Sequence, residues 1–218
     1  MHKPIIRVPL SKESVIKAAV KLADAGGIES LSMRKLGKAL GVEGMALYHH
    51  FANKEALIDG MVDSVHAEVM VPSDNQDWRV AMRQRAMSAL QALSRHNWAA
   101  PMMETRSSPG QASMQLIDST VKCLITAGFS ISKVAHIISV IDAYTFGFAQ
   151  QLRSPTESVE NESQMAEDIL AQLPKDAYPY VTQLITDHVT KSGYRFMEEF
   201  EFGLDLILDG VARLNTKK

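Results

Sequence analysis

The chain has 218 residues, 46% of them hydrophobic and 22% charged, which is typical of a folded globular protein and excludes a disordered chain. Its net charge of -2 is unevenly spread: residues 1–60 hold nine Lys and Arg against six Asp and Glu, and residues 61–218 hold fourteen against nineteen. This asymmetry is expected when one end of a protein meets phosphate. Cys123 is the single cysteine, which excludes an intramolecular disulfide, and no stretch has signal-peptide or membrane-spanning character, so we expect a soluble, cytoplasmic protein.

Apolar residues recur at helical spacing through most of the chain, which predicts an all-α fold. Four helices are expected in the first 72 residues, most of them bounded by residues that favour helix starts and stops. The predicted capping residues are Ser11, Ser32 and Asn53, and the predicted terminating residues are Gly26-Gly27, Gly41 and Pro72. The third helix, of about two turns, lies between Gly41 and Asn53 and turns Leu47 and Phe51 inward.

The remaining chain predicts further helices separated by polar segments. The predicted helical ranges are 78–95, a short helix within 97–110, 112–127, 132–152, 165–173 and 194–214. The acidic, Ser-rich stretch 153–164 predicts a mobile loop. The helices 132–152 and 194–214 are apolar around most of their circumference, which favours a four-helix bundle across a two-fold axis, or else two core helices of a monomer. The roles of His136 and Asp142 within the first of these stay open.

Residues 28–54 have the pattern of a helix-turn-helix, with two short helices joined at Gly41. If Leu47 and Phe51 face the core, helical geometry points Met45, Ala46, Tyr48 and His49 outward, where a recognition helix meets base edges. Cations flank this face, where backbone phosphates would lie; they are Arg34, Lys38 and Lys54. An ordinary helical hairpin with surface charges is the alternative interpretation.

The stretch from Val15 to Met61 resembles the tetracycline-repressor-type family of transcriptional regulators. The matching motifs are A-x-x-L-A-x-x-G-G-I-E-S-L-S-M-R-K-L, L-G-V and A-L-Y-H-H-F-A-N-K-E-A-L. Looser similarity to the branch that contains the tetracycline repressor follows in G-F-S at 128–130, Y-T-F-G at 144–147 and F-x-F-G-L-D-L-I-L-D-G at 200–210. The resemblance implies three parts: a three-helix DNA-binding domain (1–53), a connecting helix (54–72) and a larger helical ligand-binding and dimerisation domain (73–218).

The resemblance also implies which residues meet a palindromic double-stranded operator. Arg34 matches a DNA-contacting arginine, and Lys54 matches a phosphate-binding lysine at a helix N-terminus. The full predicted DNA-binding set is Ser32, Arg34, Gly44, Met45, Ala46, Tyr48, His49, His50 and Lys54. The base-reading stretch from Gly44 to Ala46 lacks a side-chain amide or hydroxyl, so we expect an operator different from the tetracycline one.

A small-molecule inducer pocket is implied in the larger domain. Its predicted residues are His66, Met70, Arg85, Ala89, Met102, Thr105 and Thr120. The imidazole that holds magnesium with tetracycline falls at Met102, and the carboxylate falls near Gln151, so the resemblance implies an inducer other than tetracycline. We expect an apolar or aromatic inducer, because twelve methionines favour a malleable pocket, although most of them fill the core. No cofactor or metal site is predicted.

Two other functions compete with this one. An enzyme would carry a catalytic motif, and the sequence has no nucleophile-elbow, zinc-protease, P-loop or dinucleotide pattern, while Cys123 lies among apolar residues. A helical dimer with a degenerate, non-binding head is disfavoured because Arg34, Tyr48 and Lys54 are all present. The sequence therefore predicts a repressor, with activation as the open alternative.

Overall fold

The computed structural model describes residues 10–105, 108–152, 159–174, 177–191 and 194–214, and within these ranges it has helices and no strand. This confirms the all-α prediction. The α-helices are α1 Lys12–Gly26, α2 Met33–Leu40, α3 Lys54–His66, α4 Trp78–Arg95, α5 Ala99–Thr105, α6 Gln111–Thr126, α7 Ile131–Gln151, α8 Val159–Gln172, α9 Pro179–Leu184 and α10 Phe196–Leu214. The chain divides into two compact units, Met1–Gly128 and Phe129–Lys218. Over the described residues, no helix is both long and apolar enough to cross a membrane.

The predicted N-caps of the first helices are confirmed. Ser11 Oγ accepts a hydrogen bond from the Ser14 backbone N–H at 3.1 Å, and Ser14 Oγ accepts one from the Ser11 N–H at 2.9 Å, which forms a capping box. Ser32 and Asn53 each accept from the backbone three residues later, at 3.2 and 2.7 Å. Such caps contribute roughly 1 kcal/mol each, so the helix starts of the head, as we call α1 to α3 with the turn between them, are defined locally.

Helix α3 ends at His66, several residues before the predicted end at Pro72, so that part of the prediction is wrong. A proline lacks an N–H and clashes with the preceding helical turn, and it also disfavours helical backbone at the residue before it, here Val71. The chain leaves the helix early and satisfies its backbone elsewhere. The Met70 N–H donates to Ser88 Oγ on α4 at 2.8 Å.

In the first unit, α4 and α6 lie within one residue of their predicted positions, and α5 lies inside the range 97–110 that was predicted to hold a short helix. Asp77 caps α4, because its Oδ1 accepts from the backbone N–H groups of Arg79 and Val80 at 2.9 and 3.1 Å. Helix α3 contacts all three of these helices as well as α1. The connecting helix is therefore the element through which the head packs against the rest of its unit.

The structure of the second unit differs from the prediction in two places. Residues 159–164, predicted as loop, belong to α8, and residues 153–158 lie outside the described part of the chain. A Ser- and Glu-rich sequence resembles a loop in composition, yet Glu and Gln are good helix formers. Helix α9 and the π-helical turn Ile185–Val189 after it were not predicted, although Pro179 stands at the first helical position, where its missing N–H costs nothing.

Aromatic side chains hold α7 against α10. The rings of Tyr144 and Phe200 stack with centroids 5.1 Å apart, and the Tyr144 hydroxyl donates to the Glu199 backbone carbonyl at 3.1 Å. Burial, and then the Glu199 charge, raise the pKa of Tyr144 above its ordinary value. A Cβ at Gly203 would collide with the Tyr144 hydroxyl, so this approach requires glycine.

Candidate DNA-binding site

Close backbone contact sets the geometry of the helix-turn-helix. A Cβ on Gly37 of α2 would lie 2.8 Å from the Val42 carbonyl oxygen and 2.9 Å from the Gly44 backbone nitrogen. Gly41, between them, ends α2 with φ at 69°, in the left-handed region that favours glycine. These glycines let α2 touch the following segment directly, and the angle between the two is fixed by backbone rather than by side chains.

The segment after the turn is a 3₁₀ helix, Gly44–His49, which we call the recognition helix, and not the two-turn α-helix predicted from sequence. A 3₁₀ helix has three residues per turn, so residues three apart share a side. Met45 and Tyr48 therefore project together. The predicted spacing of Leu47 and Phe51 is kept, because the Phe51 N–H donates an α-type hydrogen bond to the Leu47 carbonyl at 3.0 Å. The outward prediction is confirmed for Met45, Tyr48 and His49, whereas Ala46 is half-buried by the tighter turn.

The recognition helix has one buried side and one exposed side. Leu47 is 0% exposed and Phe51 is 7% exposed, so these two side chains fix the helix to the core of the head, as predicted. Met45 is 74% exposed and Tyr48 43%, unusually open for large apolar or aromatic side chains. The outward side is thus available for a partner.

The exposed side is flanked by cations and by a helix N-terminus. Arg34 on α2 is exposed, and Lys54 is the first residue of α3, where unpaired backbone N–H groups and the helix dipole favour an anion. The Ser32 oxygen accepts from the Lys35 N–H at 3.2 Å, which leaves its O–H able to donate. His49 is exposed, whereas His50 and Ala46 are half-buried. The arrangement suits a polyanion with an apolar feature between its phosphates.

Two family models match the chain and together span most of it. Residues 15–61 match the model described as bacterial regulatory proteins, tetR family, and residues 71–214 match the tetracyclin repressor-like C-terminal domain. The chain is a member of the tetracycline repressor family. It is therefore a DNA-binding, ligand-responsive transcriptional regulator, and the resemblance inferred from sequence is confirmed.

Several relatives of this tetracycline repressor family member are named as repressors. The HTH-type transcriptional repressor DrrR1 of Streptomyces coeruleorubidus is 31% identical, with 96% of this chain and 80% of that protein aligned. The class A tetracycline repressor protein from transposon 1721 of Escherichia coli is 30% identical, over 94% of this chain and 91% of that one. Among solved structures, TetR from Acinetobacter baumannii AYE is 29% identical with a TM-score of 0.67, covering 94% of this chain and 98% of its own.

The seven residues predicted to bind the family ligand lie on or beside α3 to α6. His66 ends α3, Arg85 is 7% exposed on α4, and Thr120 is 0% exposed on α6, where its hydroxyl donates to the Leu116 carbonyl at 2.7 Å. The others are Ala89 and Met102, both half-buried, Thr105, which is exposed, and Met70, which lies beyond the end of α3 and is also exposed. Their contact with a ligand stays a prediction.

A separate cleft of 390 Å³ lies where the N-terminus of α4 meets the C-terminal end of α6. Its lining is about equally polar and apolar, and none of the predicted ligand-binding residues contributes to it. The lining residues are Asp74, Asn75, Gln76, Asp77, Trp78, Cys123, Thr126 and Ala127. Burial, and then the Asp77 charge, raise the pKa of Cys123 above its ordinary value, so this thiol stays protonated at neutral pH and is a poor nucleophile.

One contact that sequence reasoning missed joins the connecting helix to α6. Asp63 on α3 accepts from the backbone N–H groups of Ala112 and Ser113, at 3.2 and 2.9 Å, and so serves as the cap of α6. A Cβ on the adjacent Gly110 would collide with the Asp63 carboxylate. The sequence separation of about fifty residues leaves no local pattern from which this cap could have been predicted.

Proposed function

We propose that this regulator is a repressor, that it binds a palindromic operator as a homodimer, and that a small molecule other than tetracycline releases it. It acts by binding and not by catalysis. The observation that carries the proposal is the exposed side of the recognition helix, where Met45 and Tyr48 project from a segment that Arg34 and Lys54 bracket along the chain. Cations that contact phosphate set the register on DNA, and the residues between them read the bases.

The base-reading stretch supports recognition by apolar contact. Gly44, Met45 and Ala46 lack side-chain hydrogen-bonding groups apart from the weakly accepting Met45 sulfur, so they cannot read a base edge through the usual amide or guanidinium pairs. The apolar feature that the major groove offers is the C5-methyl group of thymine. We propose that Met45 contacts thymine methyl groups, and that DNA shape supplies further selectivity.

An exposed apolar strip on α10 supports the homodimer. Phe200, Leu204 and Leu208 are each 0% exposed on the inner side of this helix, whereas Phe202 and Leu206 are 65% and 59% exposed on its opposite side. Large apolar groups clustered on a surface mark an interaction site. A second copy placed across a two-fold axis would cover both strips at once, because the same patch meets itself.

Release by a ligand requires a link between its pocket and the head. Helix α3 is the last helix of the head, and its Asp63 carboxylate caps α6, so a rearrangement of α6 acts directly on the head. The predicted pocket residues lie on or beside the same helices. A ligand that binds the non-operator arrangement better shifts the population away from DNA, with a coupling of roughly 1–3 kcal/mol in typical cases.

The residue types at the predicted pocket support an inducer other than tetracycline. Met102 and Gln151 replace the imidazole and carboxylate that the family resemblance implies for magnesium-bound tetracycline, and neither is a magnesium ligand of the usual kind. A tetracycline repressor variant from Acinetobacter baumannii AYE, 27% identical to this chain, is known in complex with minocycline. We expect tetracycline with magnesium to leave the operator complex of this protein intact in a gel-shift titration, and release would contradict the proposal.

The DNA-binding site is tested by alanine variants against an operator selected from random duplex DNA. Tyr48→Ala and Lys54→Ala should each lower operator affinity roughly tenfold or more, and Lys54→Ala should reduce the log–log salt slope by about 0.9 for each phosphate that is no longer neutralised. Tyr180→Ala and Lys122→Ala are matched controls, because both residues are exposed and lie outside the head. All four variants should remain dimeric in sedimentation, and unchanged operator affinity in the head variants would reject the site.

A further inference from the structure

A polar cluster around one buried histidine joins the ends of α1 and α3 to the C-terminus of α4. His96 follows the last turn of α4 and is 7% exposed. Its Nδ1 lies 2.7 Å from Asp24 Oδ1, in the last turn of α1, and its Nε2 lies 3.0 Å from Glu68 Oε1, just after α3. One imidazole therefore bridges the two segments that bracket α2 and the recognition helix.

The charged groups around this ring come from all three segments. The Trp98 Nε1–H donates to Asp24 Oδ1 at 2.7 Å, and Arg95 Nη2 donates to Glu68 Oε2 at 2.5 Å. Burial alone would raise the pKa of Glu68, but the hydrogen bonds and charges of Arg95 and His96 outweigh it and hold that pKa below its ordinary value. Glu68 is thus an ionised acceptor at neutral pH.

The two ring contacts with carboxylate oxygens can both be hydrogen bonds only if the His96 ring is protonated on both nitrogens. A neutral imidazole carries one N–H and one lone pair, so either tautomer would turn a lone pair toward a carboxylate oxygen. Only the imidazolium donates to Asp24 and Glu68 together. With that proton the four charged groups, these two carboxylates with Arg95 and His96, balance; without it one negative charge beside the buried ring is left without a counter-charge.

We infer that the His96 imidazolium is a positioning residue that holds the head in its operator-binding arrangement, so that operator affinity is linked to the protonation of this ring. The inference rests on the proposed DNA-binding function. The cluster is complete while both ring nitrogens carry protons, and one of its two histidine hydrogen bonds is lost when a proton leaves the ring. Breaking the Nδ1 or Nε2 hydrogen bond weakens the attachment of one of the two segments that bracket the helix-turn-helix, because Asp24 is then held by Trp98 without the ring, or Glu68 by Arg95 without it.

The first test is an operator-affinity profile from about pH 5 to about pH 8, the range in which histidine titrates. The wild-type affinity should fall with rising pH by roughly fivefold or more, the size of a typical coupling. His96→Gln should lack that component, since glutamine donates without titrating. His188→Gln is the matched control, because His188 also pairs with a carboxylate, Glu199 at 2.7 Å, but lies in the second unit and should keep the wild-type profile.

The second test needs no DNA. In the free protein, ¹⁵N NMR should detect protons on both His96 ring nitrogens at about pH 6, and backbone signals of residues 33–49 should shift as that ring titrates. These shifts should vanish in Asp24→Asn, whose thermal unfolding reports whether the fold is intact. A neutral ring, or head signals that ignore its titration, would overturn the inference.

The two tests separate the possible failures. If wild-type protein binds no selected DNA, the proposed function fails, and the NMR result still decides whether His96 positions the head. If wild-type protein binds DNA and His96→Gln keeps the full pH dependence, the inference fails while the proposed function stands.

Discussion

Methyl readout by Met45 can be tested from both sides of the interface. Full burial of a methionine side chain is worth about 1.5–3 kcal/mol, and Met45 is 74% exposed in the free chain, so about three-quarters of that free energy is available to each head. Two heads give about 2–4 kcal/mol, and Met45→Ala should weaken operator binding roughly 30-fold or more. Met114→Ala, at a methionine 51% exposed on α6, is the control and should bind as wild type.

The second part of the test changes the DNA instead of the protein, by removing the thymine methyl group. Replacing thymine by uracil at the contacted position of both half-sites deletes two methyl groups, worth about 1.6 kcal/mol together or roughly a 15-fold decrease in affinity. Fluorescence anisotropy on a selected operator measures this decrease position by position. In Met45→Ala the sensitivity to uracil should disappear at that position. Equal uracil sensitivity in both proteins, or none at any thymine, would refute methyl readout by this residue.

Three further variants test the turn, the dimer strip and the acid response. Gly37→Ala places a Cβ against backbone and should destabilise the protein by about 1–3 kcal/mol in urea unfolding and weaken operator binding; unchanged values would contradict the close contact. Leu206→Glu should raise the dimer dissociation constant at least about a hundredfold in sedimentation, while Val80→Glu, 46% exposed on α4, should not; an intact Leu206→Glu dimer would place the interface elsewhere. Because the folded-state pKa of Glu68 is lowered, its stabilisation is present at neutral pH and lost as the pH falls through that pKa. Glu68→Gln should thus be less stable than wild type at neutral pH, with the difference closing in acid, and a constant difference would argue against the cluster.

Local signals explain why the head is predictable from its sequence. Caps at Ser11, Ser32 and Asn53 act within three residues of their own position, and Gly41 adopts the left-handed backbone that ends α2 without the steric cost of a Cβ. The burial of Leu47 follows from spacing alone. The 3₁₀ geometry of the recognition helix is not predictable in this way, because it depends on the close contact with α2, which sequence periodicity does not encode.

Contacts between residues far apart in the chain explain which structural features could not be predicted from the sequence. His96 meets Asp24 across 72 residues, and the Asp63 cap on α6 crosses about fifty, so neither has a pattern along the chain. In the second unit, the prediction of a loop at the start of α8 is wrong because polar composition was given more weight there than helix propensity. Long-range polar contacts and the exact path of polar segments are decided by packing, for which a single sequence carries little local information.

The central claim is that two copies of this chain bind one operator with both heads at once. Recognition elements of such dimers enter successive major grooves about 34–36 Å apart, one helical turn of DNA. Native mass spectrometry of the protein on a selected palindrome, and on the same palindrome with its half-sites moved apart by about half a turn, measures this directly. The account predicts two chains on the first duplex and a large drop in affinity on the second. One chain bound to one half-site, with equal affinity for both duplexes, would contradict it.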